Sequence, residues 1–101
     1  MLDLFLSSIM TTAQVQIVAQ ATTVYLPIST TQSTRQNCVT YTATNATQRA
    51  VSNVNLNRRN KQGEVTKYSL SSLLTNGSLK SGETVSFDMC DNSFVNVEAR
   101  Q

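Results

Sequence analysis

The chain has 101 residues, room for one domain of ordinary size and none for a separate catalytic unit. Charged residues make up only 14% against 40% hydrophobic, and a net charge of +2 argues against the dense basic stripe of a nucleic-acid binder. Histidine is absent, which removes the commonest general base and metal ligand, and two cysteines are too few for a four-thiolate zinc site.

Neutral polar residues take the place of the missing charge: 14 Thr, 12 Ser, 9 Asn and 8 Gln. Such side chains cost less to desolvate than ions, so a surface made of them permits close packing of subunits. Six carboxylates remain, Asp3, Glu64, Glu83, Asp88, Asp91 and Glu98, and no pair of them is marked by spacing as an acid/base couple. Asp88 and Asp91 flank Met89-Cys90 as a conceivable calcium corner, but Asp91-Asn92-Ser93 is strong turn chemistry. The three glycines, Gly63, Gly77 and Gly82, fall where turns are expected and form no phosphate loop. The one basic cluster, Arg58, Arg59 and Lys61, reads as a solvated hairpin tip with no aromatic residue interleaved to stack a base.

In chain order, MLDLFLSSIM places Leu2, Phe5, Leu6, Ile9, Met10 and Ala13 on one helical face, with Asp3 in the first turn. It can be read as a secretory signal, for which Ala19-Gln20-Ala21 offers a cleavage site but no positive residue precedes the apolar run. A membrane span is excluded by the polar interruptions at Thr11, Thr12, Gln14 and Gln16. The third reading is a retained apolar arm, helix or strand or both, that needs a groove on its own domain or a neighbour. From Ala13 the period becomes two: AQVQIVAQ sets Val15 and Ile17 on one side, and ATTVYLPI adds Val24, Tyr25, Leu26 and Ile28 before Pro27 confines the strand to an edge or ends it. We therefore expect an arm over 1–28, a polar exposed connector over 29–37 and a β-domain over 38–101.

Within that domain, CVTYTAT puts Val39, Tyr41 and Ala43 on one row, and Cys38, Thr40, Thr42 and Thr44 on the other. Threonine suits the wet row because it is β-branched and polar. Asn45–Gln48 turns, VSNVNLN sends Val54 and Leu56 inward with Asn53, Asn55 and Asn57 outward, and Asn60–Gly63 closes a hairpin into EVTKYSL with Tyr68 and Leu70 as core anchors. Leu73 and Leu74 suit a short helical turn ended by Asn76-Gly77, Ser81-Gly82 turns again, and the last two strands carry Val85, Phe87, Met89 and then Val95, Val97, Ala99 on their rows. About seven short strands with turns between them predict an all-β, Ig-like antiparallel sandwich.

Cys38 begins one strand and Cys90 ends another, and such positions meet when the two strands are antiparallel neighbours. Both lie on the face opposite the apolar rows, so the bond is expected at the outside or rim of a sheet and implies oxidising surroundings. Asn45-Ala46-Thr47 and Asn76-Gly77-Ser78 are glycosylation triplets, both in predicted turns.

The segments NATQRAVSNVNL, NKQGEV and LKSGETVSF resemble the small Ig-like or fibronectin-like domains of bacterial and archaeal surface proteins, of the FxLYD and CARDB types, over residues 38–100. The FxLYD signature is absent, NLNRRN standing in its place. The resemblance implies a surface module without enzymatic activity and brings no catalytic residues. Together these readings predict a non-enzymatic structural subunit of an extracellular assembly, a pilus-like filament or a virion, with copies of itself as partners. No cofactor, metal, small-molecule substrate, nucleic acid or membrane span is expected. The alternative is a secreted or periplasmic binding module, adhesin-like or chaperone-like.

Overall fold

Proline 27 decides how the chain enters the sandwich. In the computed structural model, which describes residues 21–101, the strand expected over ATTVYLPI ends before the proline as β1 (Thr23–Tyr25), and a second strand, β2 (Ile28–Gln32), begins after it. They belong to different sheets. Strand β1 pairs antiparallel with β8 (Phe94–Arg100), and β2 pairs antiparallel with β3 (Val39–Thr44). Proline has no N–H for a ladder and a fixed φ, so the crossing between sheets falls at Leu26-Pro27. The Leu26 amide donates to the Val97 carbonyl in one sheet, and the Pro27 carbonyl accepts from the Thr44 amide in the other.

The remaining strands are β4 (Val51–Arg59), β5 (Val65–Ser69), β6 (Ser78–Leu79) and β7 (Thr84–Met89). One sheet runs β1-β8-β4-β5, with β6 beside the first part of β4; the other runs β2-β3-β7. All pairs are antiparallel. The protein is thus an all-β sandwich of eight short strands, the expected class.

The two inner faces meet in a core of Leu26, Ala43, Val51, Val54, Leu56, Leu70, Leu79, Val85, Met89, Val97 and Ala99. Two bulges adjust its rows. At Asn53, φ +49°, two residues of β4 oppose one of β8, so Val51 and Val54 both point inward although they are three apart. Between Asn57↔Asn96 and Arg58↔Phe94, Val95 is the extra residue, and Phe94 rather than Val95 turns into the core. There its ring stacks on Tyr41 at 4.4 Å between centroids, beside Phe87.

Several expectations need correction. Val24 and Ile28 pack against the core and Leu26 is 4% exposed, so these three side chains of the expected arm are housed by their own domain; Tyr25, 63% exposed, faces water. The expected connector over 29–37 contains most of β2, whose exposed Ser29, Thr30, Thr31 and Gln32 are tied by the backbone ladder rather than by burial. Tyr68 is no core anchor: β5 hangs beyond the smaller sheet and all five of its residues are exposed, whereas Leu70 is buried. Asn57 lies on the outer face as expected but is buried there, donating to Asn96 Oδ1 and Glu98 Oε1. The region around Leu73 and Leu74 forms two 3-10 turns, Ser71–Leu73 and Thr75–Gly77, with Leu74 against the core and Leu73 in solvent.

Asn45 is fully buried and fully bonded. Its Nδ2 donates to the carbonyls of Arg49 and Leu79, both at 2.9 Å, and its Oδ1 accepts from the Thr47 amide and hydroxyl. Its backbone bonds Glu83 and Gly82. One side chain therefore clamps the 45–50 turn to the β6–β7 connection, and the triplet at Asn45 is a structural device, its amide nitrogen inaccessible to a glycan in the folded protein.

Two measurements check these points. Asn45→Ala removes four side-chain hydrogen bonds at a fully buried position, and is expected to cost about 3 kcal/mol in urea unfolding, with no change in mass on expression in a glycosylating host for the parent protein at this position. The Cys38→Ala/Cys90→Ala pair, opening a bridge between residues 52 apart, is expected to lower stability by about 4 kcal/mol while keeping the native circular dichroism spectrum.

Candidate functional site

The expected disulfide is present. Val39↔Met89 is the last paired position of β3 and β7, and Cys38 and Cys90 stand one residue further on, bonded to each other. Their face carries a polar ladder: Thr42 and Ser86 share a hydrogen bond of 2.8 Å, and Asp88 accepts from the hydroxyls of Thr40 and Ser33. Those bonds, the Thr40 hydroxyl first, hold the Asp88 carboxyl below its ordinary pKa. The bridge closes the open end of a hydrogen-bonded strip within one sheet, and does not pin the two sheets together.

Of the residues expected in an assembly arm, Leu2, Phe5, Leu6, Ile9, Met10, Val15 and Ile17 lie outside the described residues. Val24, Tyr25, Leu26 and Ile28 belong to β1, β2 and the crossing between them. Among the described residues both sheets end in open strands. Outside the strand ladders, no backbone hydrogen bond among the described residues reaches β5 or β7, each an edge of its sheet. Such edges present unpaired N–H and C=O groups.

The sequence missed a cleft. At the end of β4, Arg58, Arg59, Asn60 and Lys61 line a depression of about 460 Å³ with Thr66 and Tyr68 of β5 and with the Asp91–Ser93 turn between β7 and β8. The Asn60–Gly63 turn fixes the hairpin: the Asn60 amide donates to the Glu64 carbonyl, Asn60 Oδ1 accepts from the amides of Gln62 and Glu64, and Gly63 sits at φ +85°. That register sets Thr66 opposite Arg58 and Tyr68 opposite Leu56. The signal was in the sequence, since a turn at residues 60–63 makes Tyr68 the diagonal neighbour of Arg58. Absence of an aromatic residue beside the basic cluster in the chain did not mean absence in space.

Arg58 is held on three sides. Its Nε donates to Ser93 Oγ and its Nη2 to Asp91 Oδ2, both at 2.9 Å, and its guanidinium lies 5.3 Å from the Tyr68 ring centre. The Ser93 hydroxyl and amide, with the Arg58 charge, keep the Asp91 carboxyl below its ordinary pKa. Arg59 donates from Nη1 to the Gly63 carbonyl. Asp88 and Asp91 point to different neighbours and do not form one site; among the described residues no three metal-ligating side chains come together.

On the outer face of the larger sheet, Lys67 Nζ meets Glu98 Oε2 at 2.6 Å. The Lys67 bond first, and the Asn57 bond after it, lower the Glu98 pKa. No described helix is long and apolar enough to cross a membrane. No family model, no curated protein and no solved structure matches the chain.

Asp88, Asp91 and Glu98 all shift downward, so each adds stability above the ordinary carboxylate range that is lost as pH falls through its lowered folded value. The urea midpoint is expected to be flat from neutrality to about pH 5 and to fall below about pH 4. Glu98→Gln should make that fall shallower, and an unchanged acid limb in the variant would remove Glu98 from the account.

Proposed function

We propose that the chain is a non-enzymatic structural subunit of an extracellular assembly, a pilus-like filament or a virion, whose residues 1–20 dock on a second copy. The observation that carries this is the sheet edges that no other backbone covers among the described residues, β5 and β7 among them, on a sandwich preceded in sequence by the apolar positions Leu2, Phe5, Leu6, Ile9 and Met10 and the alternating Val15 and Ile17. An open edge accepts an extended segment through main-chain hydrogen bonds, and alternation supplies side chains to one face. The disulfide fits an oxidising location outside the cytosol. Residues 22–28 leave the docking segment, because β1 and Leu26 are needed by their own core.

A second reading, a secreted or periplasmic binding module, adhesin-like or chaperone-like, is favoured by the Arg58–Tyr68 cleft.

Light scattering on a sizing column and electron microscopy separate the two. The full chain is expected to form large species that disappear in Phe5→Ser/Leu6→Ser/Ile9→Ser and in a chain lacking residues 1–20. The deletion must stop before Thr22, whose amide and carbonyl both bond Gln101. Monomers in all three samples would end the assembly reading and leave the binding module.

A further inference from the structure

We propose that the cleft between the β4–β5 hairpin and the 91–93 turn binds an acidic oligosaccharide, one carrying carboxylate or sulfate groups. This rests on the cleft alone and is independent of self-association.

Arg58 is the reason. A guanidinium carries five N–H donors, and Asp91 and Ser93 take two of Arg58's, leaving three without a partner among the described residues. The bonds to Ser93 and Asp91, with the Tyr68 ring 5.3 Å away on one side, orient the group so that the remaining donors form a fork before any ligand arrives. That arrangement suits a two-oxygen anion and costs little side-chain entropy on binding.

Charge points the same way. Arg58, Arg59 and Lys61 face two carboxylates, Asp91 on Arg58 and Glu64 on Asn60, which leaves the hairpin end positive. Arg59 bonds only a carbonyl among the described residues. Neutral groups of Thr66, Asn60 and Asn92 line the same walls and match a hydroxyl-rich ring. The volume of about 460 Å³ lies in the range of small-ligand sites, about 300–1,000 Å³. A strand of nucleic acid is the poorer fit. Base stacking needs a free aromatic face, and Tyr68, the one aromatic side chain lining the cleft among the described residues, has Arg58 over one face of its ring.

Amide chemical-shift titration of the full chain tests this, with a heparin-derived tetrasaccharide as the sulfated probe and tri-galacturonate as the carboxylated one. Maltotetraose, an eight-residue oligothymidylate and a hexaglutamate peptide complete the set. At least one acidic sugar is expected to shift the amides of residues 58–61, 66–68 and 91–93 together, with maltotetraose silent. Arg58→Lys keeps the charge and loses the fork, and should weaken that binding about tenfold. Lys61→Ala, at an exposed hairpin tip, leaves the fold intact and should reduce both affinity and its dependence on salt. Which acidic sugar binds tells sulfate from carboxylate recognition. The proposal fails if neither sugar shifts these amides, if Lys61→Ala binds as well as the parent, or if the oligonucleotide or the peptide binds more tightly than both sugars.

Discussion

Strands β4 and β8 pair over the centre of the larger sheet, and the two bulges in that pairing decide what the rest of the molecule does with its side chains. Backbone hydrogen bonds hold the strands together whatever the sequence, but inside and outside alternate strictly, so each extra residue exchanges the faces of everything beyond it. Asn53, in the left-handed region that asparagine tolerates better than most residues, lets Val51 and Val54 share one core. The extra Val95 turns Phe94 inward to complete an aromatic stack with Tyr41, and it brings the Asp91–Ser93 turn over Arg58.

The same pairing explains the division of labour across the molecule. Where the smaller sheet covers the larger, the residues are apolar and closed to solvent: Ala43, Val54, Val97 and Ala99 have no exposed surface. Where the larger sheet overhangs, along β5, the inward side of a strand becomes a cleft wall instead of a core, and Tyr68 partners a guanidinium in place of a valine. The open cleft thus has its origin in a five-stranded sheet facing a three-stranded one. A sandwich with matched sheets would cover Tyr68 and close that cleft.

Stability is distributed in the same pattern. The neutral polar residues that dominate the composition form ladders and clamps, such as Thr42 with Ser86 and Asn45 with two carbonyls, that satisfy backbone and side-chain groups without ions. The exceptions are ion pairs at positions that need a fixed direction: Arg58–Asp91 at the cleft and Lys67–Glu98 over the buried Asn57. Exposed pairs of this kind contribute little energy, so orientation is their main effect.

The sequence by itself determined the class of fold, most strand rows, the turns and the sulfur bridge, because alternation, β-branching and turn chemistry act over a few residues. Tyr41, Ala43, Val85 and Met89 point inward as their period requires, and Cys38 and Cys90 meet because antiparallel neighbours bring such ends together. Only the tertiary structure decided that Pro27 sends one strand to two sheets, that residues 22–28 serve their own core, and that Tyr68 and Ser93 converge on Arg58. Each of those outcomes depends on which strands become neighbours and on how far one sheet covers the other. These are properties of pairing between segments distant in the chain, and local residue patterns do not encode them.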